Sequence, residues 1–202
     1  MSTKVIEVSE DDRPNVFTQK EIGWTPWLEP LVESELTERH WAGLVDASRS
    51  KSTYFMLLAR DPEILEARTK TDKDIFYNTG GGLPRAEREL SATAASRYNG
   101  CIFCASVHAR FASHHSKRTS DLQTLLDEGV EADLGHRWNA VVAASVAITA
   151  TPSEFGGEQI GRLRAQGLAD LEIADLIHGA AFFNWANRLM LSLGEPTPAV
   201  QS

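Results

Sequence analysis

The sequence predicts an all-α fold, a compact bundle of many helices. Three observations carry that expectation. Apolar residues recur at helical spacing in almost every segment after Leu36, glycine and proline fall between those segments, and no alternating strand pattern or strand-flanked Asn-Gly hairpin is present. Residues 1–34 read as an N-terminal arm and 35–202 as a single all-helical domain. The arm carries Trp24, Pro26, Trp27 and Pro30, so its aromatics are expected to pack onto a surface, its own domain first and a neighbouring subunit as the alternative.

The elements follow in order. "TERHWAGLVDASRS" puts Trp41, Leu44 and Val45 on one helical stripe. "STYFMLLARDPEILEARTKTDKDIFY" supplies one or two helices with a break near Asp61-Pro62, and "NTGGGLP" (Asn78 to Pro84) defeats both regular periods and is a loop. "PRAERELSATAASRYNG" is a helix with Pro84 suited to its first turn and Gly100 to its C-terminal cap. The segment from Cys101 to His115 forms the next helix. "TSDLQTLLDEG" is a short one ended by Gly129, and "HRWNAVVAASVAITATP" is a small-residue apolar one stopped by Pro152. "EQIGRLRAQG" and "ADLEIADLIHGAAFFNWANRLMLSLG" complete the set.

Composition bounds the function. A net charge of −8 and a sequence pI near 5.3 argue against nonspecific nucleic-acid binding, because phosphates repel such a surface. No stretch approaches the roughly 18 apolar residues of a membrane span, and the N-terminus has no apolar signal region, so a cytoplasmic location is expected. No Gly-rich phosphate loop is present and no cofactor is implied. The two cysteines cannot build a disulfide framework. As a close pair in a reducing compartment they point to catalysis or metal binding.

Both cysteines lie in "NGCIFCASVHARFASHH". On a helix Cys101, Cys104 and His108 share a face at i, i+3 and i+7, continued by Phe111 and His115. The Asn99-Gly100 break puts both thiols in or near the first turn, where free N–H groups and the dipole stabilise a thiolate. An imidazole one turn beyond Cys104 can take its proton. Glu89, twelve residues before Cys101 on the preceding helix, would lie under this stripe if the two helices return antiparallel, and a carboxylate there would complete a proton relay. The alternative for Glu89 is a solvated surface glutamate like its neighbour Glu87.

The pattern E-x11-C-x2-C-x3-H, "ELSATAASRYNGCIFCASVH" from Glu89 to His108, resembles the signature of the alkylhydroperoxidase D-like proteins within the carboxymuconolactone decarboxylase superfamily. The flanking "GGLPRAERELSATAASRYNGCIFCASVHARFA" and "FFNWANRLMLSLGEP" look like its uncharacterised peroxidase-related branch. The resemblance covers the chain from about residue 30 onward. It implies a compact all-helical homo-oligomer, often a trimer or hexamer, that reduces hydroperoxides with an external dithiol reductant. It also implies Cys104 as peroxidatic, Cys101 as resolving, and His108 with Glu89 as the relay. Well-characterised members carry a further histidine between the cysteines, where this chain has Phe103.

Rival readings are a zinc site of Cys101, Cys104, His108 and His114 or His115, a dithiol–disulfide oxidoreductase without a peroxide role, a noncatalytic helical oligomer, and a lyase or hydrolase of the wider superfamily. Adjacent turns of one helix wrap a tetrahedral ion poorly. His178 is expected to be a core histidine, with a place at the site as the alternative, while His136 and Trp138 cap or pack the helix they begin. Phe182, Phe183 and Trp185 read as core, subunit interface or the wall of a peroxide pocket. Asn187 and Arg188 are expected to bond across helices without chemistry, and His40 to be exposed. The segments from Ala140 to Ala150 and Leu171 to Leu193 are more apolar than a lone domain must bury. Light scattering is therefore expected to give a mass above that of the 22.2 kDa chain, and a monomer alone at micromolar concentration would remove the oligomer.

Overall fold

The computed structural model describes residues 5–7, 9, 13–80 and 82–198; the outer arm, Gly81 of the glycine loop and the last four residues lie outside the described residues. The described chain is helical almost throughout. The helices are α1 (Glu38–Leu44), α2 (Thr53–Leu58), α3 (Pro62–Tyr77), α4 (Arg85–Tyr98), α5 (Ile102–Ser116), α6 (Thr119–Glu128), α7 (His136–Thr149), α8 (Gly157–Ala165) and α9 (Asp170–Leu193).

The breaks have local causes. Asp61 accepts the Ile64 backbone N–H at 3.1 Å and Pro62 opens α3, so the chain restarts a helix where α2 ends. Pro84 is the N-cap of α4 rather than its first helical residue. Gly100 at φ +79° reverses the chain between α4 and α5, a conformation that costs glycine little.

α4 is the central element, packed against α3, α5, α7 and α9. It buries a continuous run from Glu87 to Ser96, much of it alanine and serine. Small side chains bring neighbouring helices close, and Gly179 of α9 faces Ser91 of α4 with no room for a larger residue. The hydroxyls on this helix bond within it: Ser91 donates to the Arg88 carbonyl, Thr93 to Glu89 and Ser96 to Ala92, each at 2.7–2.8 Å. The main apolar core lies between α4, α5, α6 and α7, with Leu90, Leu122, Leu125, Val141 and Leu176 among its members. A second cluster around Trp24, Tyr54, Phe76, Phe183 and the two cysteines forms the floor of the site.

Four expectations need correction. The chain does contain strands: β1 (Gly23–Pro26) pairs antiparallel with β2 (Gly194–Thr197), Trp24 opposite Pro196. Four-residue segments with prolines give no readable alternation. Through this pairing, and through the Lys20 carbonyl accepting from Ser106 and Arg110, the described part of the arm lies along its own chain. Next, the Trp41/Leu44/Val45 stripe does not all turn inward. Leu44 is buried, while Trp41 and Val45 are each 38% exposed, because α1 stops at Leu44 and Val45 leaves it at φ +64°. His40 is half-buried rather than exposed, and its Nδ1 accepts the Thr37 backbone N–H at 3.0 Å to cap the helix.

The last correction is Glu87, which is buried and forms a bidentate pair with Arg137 at 2.7 Å to both oxygens. The Arg137 guanidinium also donates to the Gln166 carbonyl, so one ion pair ties α4 to α7 and to the loop before α9. Removing one partner leaves a charge with too little solvation. Glu87→Ala is expected to lower stability by about 2 kcal/mol, since Arg137 keeps some access to water. Urea denaturation reads this, and a change below a few tenths would contradict the assigned role.

Candidate active site

The site is built where α5 returns along α4. Cys101 is the N-cap of α5 and Cys104 sits in its first turn, both reduced and buried, with sulfurs 3.0 Å apart. The spacing of three on a helix start therefore brings the sulfurs together, and closing a disulfide bond of about 2.05 Å requires only a small shift. One turn on, His108 points its Nδ1 at the Glu89 carboxylate, 2.5 Å from Oε2. Glu89 is 1% exposed and His108 side chain 12%. The other carboxylate oxygen accepts from Arg85 Nε at 2.7 Å and Nη2 at 2.5 Å. The structure thus places all four sequence-derived residues, Glu89, Cys101, Cys104 and His108, in one cluster.

With Glu89 accepting from Arg85, Nδ1 of His108 is the donor to Oε2, which leaves Nε2 as the acceptor nitrogen. The ring packs against Phe183, its centroid 4.0 Å away, and against Phe76 at 5.4 Å. Phe183 is thus a wall of the site, Phe182 is partly buried, and Trp185 is 40% exposed at the margin of that cluster.

The two thiols differ in environment. The Cys101 thiol is pulled below the ordinary thiol range, chiefly by a hydrogen bond from Cys104, with help from the Cys104 backbone N–H and Asn187 against the cost of burial. Cys104 is pushed well above that range by its bond to Cys101, by burial and by the charge on Cys101, while Asn187 and Arg68 act in the opposite sense. Of the two, Cys101 is therefore the more readily ionised sulfur and Cys104 the one that holds its proton more firmly. Their access also differs. Cys104 lines a pocket of about 290 Å³ together with His108 and Glu89, whereas Cys101 opens onto a separate, smaller cleft beside Trp24 and Pro196. Phe103 stands between them and lines both, so the position of the family's further histidine is apolar here.

Sequence reasoning underrated Asn187. It is fully buried, its Nδ2 donates to Ser96 Oγ at 3.0 Å, its Oδ1 accepts from Asn99 at 3.1 Å, and it is within hydrogen-bonding reach of both sulfurs. Its polarity in the middle of an apolar helix is the signal that could have found it. Arg188 is exposed. His178 is neither core nor site: it is exposed and borders a different cleft with Asp175 and Lys70, because the inward face of α9 is Leu176, Gly179, Ala180 and Phe183. Trp138 is packed under the Arg118 guanidinium, 3.7 Å from its ring, and His136 opens α7 on the surface. His114 and His115 are exposed at the far end of α5, and among the described residues no group of three or more potential ligands is arranged to hold a metal ion. Among them, too, no helix is long and apolar enough to cross a membrane.

Comparison with known proteins agrees with this fold. Residues 62–147, from α3 to α7, match the Carboxymuconolactone decarboxylase family. No curated protein matched the sequence. Among solved structures, an uncharacterised peroxidase-related protein from Ralstonia eutropha JMP134, described as an alkylhydroperoxidase AhpD core, superposes with a TM-score of 0.69 at 20% identity, over 83% of this chain and 89% of its own. An uncharacterised peroxidase-related protein from Silicibacter sp. TM1040 gives 0.67 at 19% identity, over 98% and 95%. The debrominase Bmp8 gives 0.64 at 15% identity, over 81% and 88%. At these identities the likeness is one of fold.

The thiol environments predict an order of alkylation. At pH 7 iodoacetamide should label Cys101 before Cys104, and labelling of Cys104 should climb as pH rises above 9, because its proton is held by the partner sulfur and by burial. Peptide mass mapping reads both rates. Faster labelling of Cys104 at neutral pH would reverse the order.

Proposed function

We propose, from the match of residues 62–147 to the carboxymuconolactone decarboxylase family and from the site itself, that the chain is a cysteine-based peroxidase reducing hydroperoxides. The observation that carries the reading is the buried Glu89–His108 contact in the same pocket as Cys104, with Cys101 one sulfur contact behind. A peroxidase needs a thiolate made on demand, a proton for the leaving oxygen and a second thiol within reach.

In the first step the Cys104 proton passes to His108 Nε2 and the sulfur attacks the peroxide. A bond forms between sulfur and oxygen, the O–O bond breaks, and the alkoxide leaves as the alcohol with the proton returned by His108. Glu89 holds the imidazole in one tautomer and balances the imidazolium charge. The Cys101 thiolate then attacks the sulfenic acid on Cys104. A disulfide forms and the oxygen departs as water after taking a proton. Cys101 is suited to this second step because it carries the lower pKa of the pair yet does not line the relay pocket. One hydroperoxide and two thiols thus give one alcohol, one water and one disulfide, which an external dithiol restores.

Cys101→Ser is expected to consume about one equivalent of peroxide and stop at a sulfenic acid on Cys104, trapped by dimedone and located by mass. Cys104→Ser should not react at a comparable rate, and Glu89→Gln should slow thiol oxidation by about 10²–10⁴. Dimedone on Cys101 in Cys104→Ser, at normal speed, would exchange the roles. Disulfide formation with small disulfides but with no peroxide would favour the plain oxidoreductase reading.

A further inference from the structure

The pocket beside Cys104 has a second polar end that the relay does not use. Among the described residues, the buried side-chain polar atoms without a hydrogen bond are the Tyr54 hydroxyl, Nε and Nη1 of Arg68, and the Thr69 hydroxyl. Tyr54 and Arg68 both line this pocket. Arg68 is only 8% exposed, and the ion pair it makes, Nη1 to Asp72 Oδ2, is long at 3.7 Å. A guanidinium this deep normally has its donors engaged, because an unmet buried donor costs free energy. Unmet donors on two residues that line one cavity therefore mark a place for an acceptor.

Charge gives the sign of that acceptor. Arg49 lies within electrostatic reach of both Asp72 and Arg68, so the one carboxylate in ion-pair distance of Arg68, already long, also serves a second cation. Burial pushes Tyr54 up to about 12, so its hydroxyl keeps its proton and serves as a neutral donor. The remaining walls are largely apolar and aromatic, among them Phe55, Phe76, Phe103 and Phe183. A pocket of about 290 Å³ is at the small end of ligand sites, which typically begin near 300 Å³.

We propose that this pocket takes a small aromatic or branched apolar hydroperoxide bearing an ionised carboxylate, with the carboxylate seated on Arg68 and Tyr54 and the peroxide presented to Cys104. The peroxide end of the proposal rests on the peroxidase reading; the carboxylate end does not. Planar guanidinium and carboxylate match in a bidentate fork, and a phenol hydroxyl beside it adds a third donor. Neutral peroxides of the same shape would leave the arginine unmet and be turned over less well.

Calorimetry on the reduced full-length protein with unreactive probes separates the two ends. Para-isopropylbenzoate is expected to bind at least tenfold more tightly than para-isopropylbenzamide. Arg68→Met should reduce that preference to less than threefold, with Arg68→Lys and Tyr54→Phe intermediate. Steady-state kinetics with para-carboxylated and plain cumene hydroperoxide should give the same ratio in kcat/KM. Equal binding of the two probes by the wild-type protein overturns the proposal. So does a preference unchanged in Tyr54→Phe and Arg68→Lys, which also covers the case of a misfolded methionine variant. Absence of a sulfenic acid with every peroxide would remove the peroxidase reading and leave the probe result to decide the carboxylate subsite.

Discussion

A carboxylate placed almost out of reach of water must be met by donors, and Glu89 organises this molecule around that requirement. Its oxygens are shared between Arg85, one turn earlier on α4, and His108 on α5. Left unmet, such a charge would cost several kcal/mol. The two helices are thereby held in a single register, with the imidazole pinned against Phe183 and Phe76. The cysteines follow, because they start the helix that carries His108. Small residues along α4 allow the close approach, and Asn187 on α9 supplies the polar contact from the other side.

The sulfurs are neighbours in sequence and in space, yet their surroundings divide the labour. Cys101, at the helix cap, receives hydrogen bonds that favour its thiolate; Cys104, inside the first turn, holds its proton more firmly and shares a pocket with the His108 imidazole. A thiol that is ionised only in the presence of its base is a weaker target for stray electrophiles than a standing thiolate. The helix dipole and the local hydrogen bonds favour Cys101 as the anion, and in the proposed peroxidase His108 favours Cys104 as the nucleophile.

Legibility in the sequence followed the range of the interaction. Helix boundaries at Asp61-Pro62, Gly100 and Gly129 could be read because capping and left-handed turns are decided within a few residues. The C-x2-C-x3-H stripe could be read for the same reason. Glu87 and Glu89 are two residues apart on one helix and look alike in sequence. Both turned out to be buried, each against a different arginine, and the partners lie 50 residues away in one case and 4 in the other. The strand pairing of residues 23–26 with 194–197 left no trace, since its partners are at opposite ends of the chain. His178 was misjudged because a helix as apolar as α9 does not reveal which of its faces turns inward.

The sequence by itself determined an all-helical fold, the restart points of its helices, the face shared by two thiols and an imidazole, and through Glu89 to His108 the family resemblance. These depend on φ/ψ preferences and on a 3.6-residue period, which act locally. Only the tertiary structure decided which carboxylates are buried, that Asn187 lies by both sulfurs, that the thiols open onto separate clefts, and that Arg68 and Tyr54, with donors unmet, line the pocket of Cys104. Burial and electrostatic partnership are set by segments distant in sequence, and those come together only when the core closes.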